Sequence, residues 1–132
     1  MTLAIDTSTL LAIFKGEPTA DAWMEMIVGL APSAALVANE IVWAETAPFF
    51  SSLRELRGRM DDLGVAYDAI SEQSAYSAGQ IFSAYRRAGG PRDHLIPDFL
   101  VASHALHQTD GLIAADRGYF RRYFKALRLH TL

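Results

Sequence analysis

Leu3-Ala4-Ile5-Asp6-Thr7-Ser8-Thr9-Leu10-Leu11 decides how the rest of the chain reads. Three apolar residues stop at a carboxylate, hydroxyl side chains follow, and an apolar pattern of helical period begins. The stretch predicts a buried strand that ends at Asp6, on the carboxyl edge of a sheet, where open α/β sheets bind their ligands. Asp is also a preferred N-cap, so the same residue can simply start the next helix. The choice depends on the remainder of the chain, where an acid beside an apolar run occurs three more times.

Working outward, helix is expected over 7–14, stopped by Gly16 and Pro18, and again over 19–30, where Trp23, Met24, Ile27 and Leu30 recur at helical spacing. Residues 35–38 form a second short strand. Asn39 can cap a helix running to about 50, bent or ended by Pro48. A further helix over 51–63 closes at Gly64. Residues 65–68 predict a third strand, and 71–88 a long helix. Gly89-Gly90-Pro91 is a loop. Residues 98–107 predict a helix with Pro97 at its start, apolar nearly all round and therefore buried. A fourth strand is expected over 112–115, a short helix over 119–124 and an edge strand over 127–129. Strands alternating with helices predict an α/β fold with a parallel sheet.

The chain has 132 residues, a length that suits one domain, 1–132. At 51% hydrophobic and 20% charged it can build a core and is not of disordered composition. It has no cysteine, which rules out disulfides and thiolate zinc sites. Neither a signal peptide nor an apolar run of about 18 residues is visible, so the expected location is the cytoplasm, away from any membrane. The net charge of −3 does not advertise a nucleic-acid binder, but its distribution is uneven. Residues 1–50 carry six acids against Lys15 alone, whereas Arg117, Arg121, Arg122, Lys125 and Arg128 face only Asp110 and Asp116 in the last stretch. An acidic focus flanked by arginines suits a polyanion held over a cation. Taken singly, such arginines are also what an ordinary solvated face carries.

Four acids share a setting. Asp6 and Asp116 each follow an apolar strand, Glu45 ends Ile41-Val42-Trp43-Ala44-Glu45 on the helix after the second strand, and Asp98 opens the buried helix. Carboxylates that converge in one cleft repel unless a divalent cation or protons neutralise them. Oxygen-only ligands favour Mg2+ or Mn2+, whose open positions take water and phosphate oxygens. Periodicity cannot show convergence, and each acid can instead be a separate cap. Glu40 competes with Glu45 for the second place. The two lie five residues apart and face different ways round a helix, and Glu40 suits a first-turn acid beside Asn39.

The run from Ile5 to Leu11, Val42-Trp43-Ala44-Glu45, Pro97-Asp98-Phe99-Leu100-Val101-Ala102-Ser103-His104-Ala105 and Leu112-Ile113-Ala114-Ala115-Asp116-Arg117-Gly118-Tyr119-Phe120, in that order and spacing, resemble a PIN domain. Within that family the chain resembles the VapC-type toxins of bacterial toxin–antitoxin pairs, and the resemblance covers essentially the whole chain. It implies a three-layer α/β/α sandwich around a parallel sheet of four to five short strands, with the activity of a Mg2+- or Mn2+-dependent endoribonuclease. It also implies the catalytic, metal-binding acids Asp6, Glu45, Asp98 and Asp116, with Asp6 and Asp98 the firmest ligands, and Ser8 orienting Asp6 or a water. A hydroxyl common in relatives just before the fourth acid is replaced here by Ala114-Ala115. A cation at such a site acidifies water and offsets phosphate charge, so hydrolysis needs no Ser or His nucleophile.

Arg117 and Arg121, with Arg122, are candidates to meet RNA phosphates. The family further implies an antitoxin partner and a homodimer, for which Trp23, Phe49 and Phe50 are candidate contacts. His104 and His107 are three apart, a zinc-compatible spacing, but without a third nitrogen or sulfur ligand they read as a polar helix edge. His94 can reach substrate from its loop. Two other readings remain: a non-catalytic PIN-like module that binds RNA or protein, and a haloacid-dehalogenase-like phosphatase, disfavoured because Ser8 stands where that family has a second Asp.

Overall fold

The computed structural model describes residues 1–90, 96–115 and 118–132, without the side chain of Tyr119. Its strands are β1 (Thr2–Ile5), β2 (Ala35–Ala38), β3 (Val65–Tyr67), β4 (Leu112–Ile113) and β5 (Leu129–His130). All pair in parallel, in the order β3-β2-β1-β4-β5. Among the described residues the helices are α1 (Thr7–Phe14), α2 (Ala20–Leu30), α3 (Glu40–Thr46), α4 (Leu53–Leu63), α5 (Glu72–Arg87), α6 (Ile96–Gln108) and α7 (Tyr119–Tyr123). Leu3, Ala4 and Ile5 of β1 are all buried. Successive strand side chains point to opposite faces, so both faces of the sheet are covered and the fold is a three-layer α/β/α sandwich.

Most element bounds agree with the sequence pattern, and the departures have local causes. Pro48 ends α3 at Thr46, and a 3-10 turn, Ala47–Phe49, takes over. β5 starts later than 127 because the Leu127 N–H closes a turn onto the Phe124 carbonyl at 2.9 Å and is lost to the ladder. The left-handed residue that closes α4 is Gly64, at φ 73°. Gly111 has no room for a side chain, since a Cβ there would stand 2.9 Å from the Arg128 carbonyl oxygen.

α6 carries one of the four acids across the sheet. It packs against α5 and lies on β1 and β4. Its C-terminal end leads into β4 at the amino edge of the sheet, where Asp110 Oδ2 accepts the Thr2 N–H at 2.8 Å and the Gly111 carbonyl accepts the Ala4 N–H at 2.9 Å. A helix of this length spans roughly 20 Å. Its first turn, with Asp98, therefore stands toward the carboxyl edge. Phe99 anchors that turn at 0% exposure, in an aromatic cluster with Phe82, Tyr85, Tyr123 and Phe124.

The cap of α3 is equally local. Asn39 is buried and its Oδ1 accepts from the N–H groups of Ile41 at 2.9 Å and Val42 at 3.2 Å. Asn39→Ala is expected to lower stability by about 1–2 kcal/mol, because two helix donors lose their acceptor. Urea unfolding should show this as a lower midpoint at unchanged slope.

Candidate active site

Strand order reverses direction between β1 and β4, since the chain moves from β1 outward to β3 and returns to the other side with β4. That switch point, at the carboxyl ends, is where an open parallel sheet leaves a crevice. Asp6 is the first residue past β1 and is 3% exposed. Its backbone does start α1, with the Asp6 carbonyl accepting from the Leu10 N–H at 3.2 Å, yet its carboxylate makes no capping bond. The side chains of Asn39, Ser52 and Ser71 do cap the helices they precede. The Asp6 carboxylate instead accepts from Ser8 Oγ at 2.7 Å. The two sequence alternatives for Asp6 thus divide: its backbone starts α1, and its carboxylate bonds Ser8 rather than the helix end.

Glu45 lies on α3 and is exposed. Thr7 Oγ1 donates to Glu45 Oε1 at 2.8 Å, which brings this carboxylate to the first turn of α1, beside Asp6 in the chain. Glu40 points elsewhere, and its Oε1 accepts from the Ile70 N–H at 2.8 Å. The sequence pattern does not single out Thr7; a hydroxyl directly after a strand-ending acid is the signal it offers. Asp98 is half-buried in the first turn of α6. Arg121 is exposed on α7. Asp116, Arg117 and His94 lie outside the described residues, although Ala114 and Ala115 carry the chain off β4 beside β1.

Among the described residues, no three His, Cys, Asp or Glu side chains form a group able to hold a metal ion. The donors around Asp6 are carboxylate and hydroxyl oxygens, a chemistry that suits a hard divalent cation. A carboxylate as buried as Asp6 is the kind of group that such a cation stabilises.

The PIN domain family matches residues 3–125. The chain belongs to that family. As a fold it is similar to a chain of VapBC2 from Rickettsia felis, solved bound to a promoter DNA fragment, with a TM-score of 0.77 at 17% identity over 99% of this chain and 98% of that one. A chain of VapBC-1 from nontypeable Haemophilus influenzae gives a TM-score of 0.73 at 23% identity, with the same coverage. One from DNA-bound VapBC of Salmonella typhimurium gives 0.70 at 21%, again over 99% and 98%. No curated protein matches the sequence.

Two sequence readings need correction in this PIN domain. His104 is not on a polar helix edge: it is 0% exposed, with Nε2 2.8 Å from Asp68 Oδ2. Gln108 also reaches this loop, donating to the Ala69 carbonyl at 2.9 Å while accepting from the Ser71 N–H at 2.9 Å. The pair fastens α6 to the end of β3. His107 is exposed and lies 2.9 Å from Ser77 Oγ. Trp23 is not a surface contact either, since at 4% exposure it belongs to the core. Phe49 is 52% exposed, and Phe50 is half-buried against Phe14 with ring centroids 5.4 Å apart.

Proposed function

We propose that this PIN domain is a Mg2+- or Mn2+-dependent endoribonuclease that hydrolyses RNA phosphodiester bonds, the toxin of a toxin–antitoxin pair. The observation that carries the proposal is Asp6, a buried carboxylate at the switch point of a parallel sheet, spared from capping and held by Ser8. The near-complete overlap with chains of VapBC complexes supports the toxin reading. Asp6 and Asp98 are the principal ligands, Glu45 positions water from its bond to Thr7, and Asp116 completes the set. Bound there, the cation offsets phosphate charge and makes water a better acid. Ser8 fixes the Asp6 rotamer, and Arg117 and Arg121 meet the phosphates. The whole chain, 1–132, acts as one domain in the cytoplasm, paired with an antitoxin and with a second copy of itself. A non-catalytic RNA- or protein-binding module is the second reading, and the phosphatase reading falls with the family.

Incubating the pure protein with total RNA and Mg2+, with and without chelator, tests this. Discrete new ends that disappear with chelator are expected. Intact RNA across a range of Mg2+ and Mn2+ concentrations would favour the binding module.

The choice of second acid has its own test. Glu45→Gln is expected to lower cleavage by roughly 10- to 100-fold, as loss of a supporting group at a metal site does, with little change in Tm. Glu40→Ala is expected to keep cleavage and lose about 1 kcal/mol of stability, because the Ile70 N–H loses its acceptor. The reverse pattern would assign the role to Glu40.

A further inference from the structure

A cavity of about 390 Å³ opens beside Ser8, the hydrogen-bond donor to Asp6. Its lining includes Ser8 from α1, Glu17 and Thr19 from the connection to α2, Trp23 from α2, Ala115 past β4 and Thr131 past β5. The volume is in the roughly 300–1,000 Å³ range of small-ligand sites, which combine apolar walls with a few fixed polar groups. Two features tie it to the acids. Ser8 lines the cavity and donates to Asp6, and Ala115 is the last residue before Asp116.

We propose that this cavity is a nucleobase subsite, which takes one unstacked base of the RNA next to the phosphate held at the acids, and that Glu17 reads its amino edge. A base lies one sugar away from its phosphate, and the cavity reaches Asp6 through Ser8, which lines it and donates to the Asp6 carboxylate. Sequence-specific readout of RNA acts mainly on splayed single-stranded bases, through their edges. A carboxylate only accepts hydrogen bonds, so Glu17 favours bases with an exocyclic amine, which cytosine, adenine and guanine carry, over uracil, which offers only its ring N–H. Glu17 is available for this. Its partner Lys15 is 3.5 Å away with both side chains substantially exposed, a pairing typically worth ~0–1 kcal/mol. The hydroxyls of Ser8, Thr19 and Thr131 add donors and acceptors round the rim, and Trp23 forms an apolar wall. The inference rests on the ribonuclease reading for its phosphate end, but base selection can be measured without cleavage.

The experiment uses 2′-O-methyl single strands of uniform base composition in Mg2+, with Trp23 fluorescence read in a Trp43→Phe background. Strands of amino-bearing bases, cytosine or adenine, are expected to bind about tenfold tighter than uracil strands, the scale of one good base contact. Glu17→Ala, which removes the acceptor, is expected to abolish that preference. Thr19→Phe, at an exposed rim position, should block the cavity and weaken all strands together, with Tm unchanged in both variants. Affinity that ignores the base, or variants that bind as the parent does, would overturn the subsite. So would variants that bind RNA normally and lose only the antitoxin, which would make the cavity a seat for a protein side chain. Base-selective binding by a protein that never cleaves RNA would leave the subsite standing and remove the ribonuclease reading; cleavage without base selection would do the opposite.

Discussion

Asp6→Asn is expected to give a folded protein whose Mg2+-dependent RNA cleavage has fallen by at least about a hundredfold. Replacing groups that merely support a metal ligand already costs roughly 10- to 100-fold, so loss of a ligand's charge sets a floor at the top of that range. The fold should survive because the substitution keeps the bonds that Asp6 makes to Leu10 and Ser8. Its backbone carbonyl still accepts from Leu10, an Asn Oδ1 can still accept from Ser8, and no helix N–H depends on the side chain. The substitution also removes a buried negative charge. Removing that charge should also flatten the response to metal: Tm of the parent is expected to rise with Mg2+ by mass action, and Tm of Asp6→Asn much less. Equal cleavage by the two proteins would show that Asp6 is only the start of α1.

Much of the fold was legible because its signals are local. Apolar runs of three to four residues, bounded by Gly, Pro or a polar side chain, located four strands, and the 3- to 4-residue spacing in α2 located a helix. The fifth strand was displaced by two residues, because its register is set by a turn at Phe124 and a close approach at Gly111, neither of which is written in the pattern of Leu127-Arg128-Leu129. At the site, order and spacing named the acids, but only coordinates show that Asp6 starts α1 with its backbone while its carboxylate accepts from Ser8. They also distinguish Glu45, which reaches Thr7, from Glu40, which reaches Ile70. His104 escapes a sequence reading for the same reason. Its partner, Asp68, is 36 residues earlier in the chain, and no helical spacing reports a contact across that interval.

Phe99→Ala is expected to be the most destabilising single change in the described core, at roughly 3–5 kcal/mol, the usual cost of deleting a buried aromatic ring. The ring is 0% exposed, with centroids of Phe82, Tyr85, Phe124 and Tyr123 at 5.4, 5.3, 5.6 and 6.3 Å. It joins α6 to α5 and α7, so the void cannot be filled by a local shift of one helix, and close-packed interiors relax only partly. Against a total stability of about 5–15 kcal/mol, the loss should lower Tm by roughly 10–20 °C. Phe99→Leu leaves a smaller void and should cost less. In the proposed ribonuclease the same geometry would link core to chemistry. Asp98 precedes Phe99 in the first turn of α6, so that turn is held in place by the ring as much as by backbone bonds. Phe99→Leu, assayed well below its Tm, should therefore need more Mg2+ for half-maximal cleavage than the parent, while Val101→Ala, which thins the same helix farther from the first turn, should lose stability with less change in metal demand. If both variants shift the metal requirement in proportion to their stability, the aromatic cluster holds up the fold and has no separate hold on the acid.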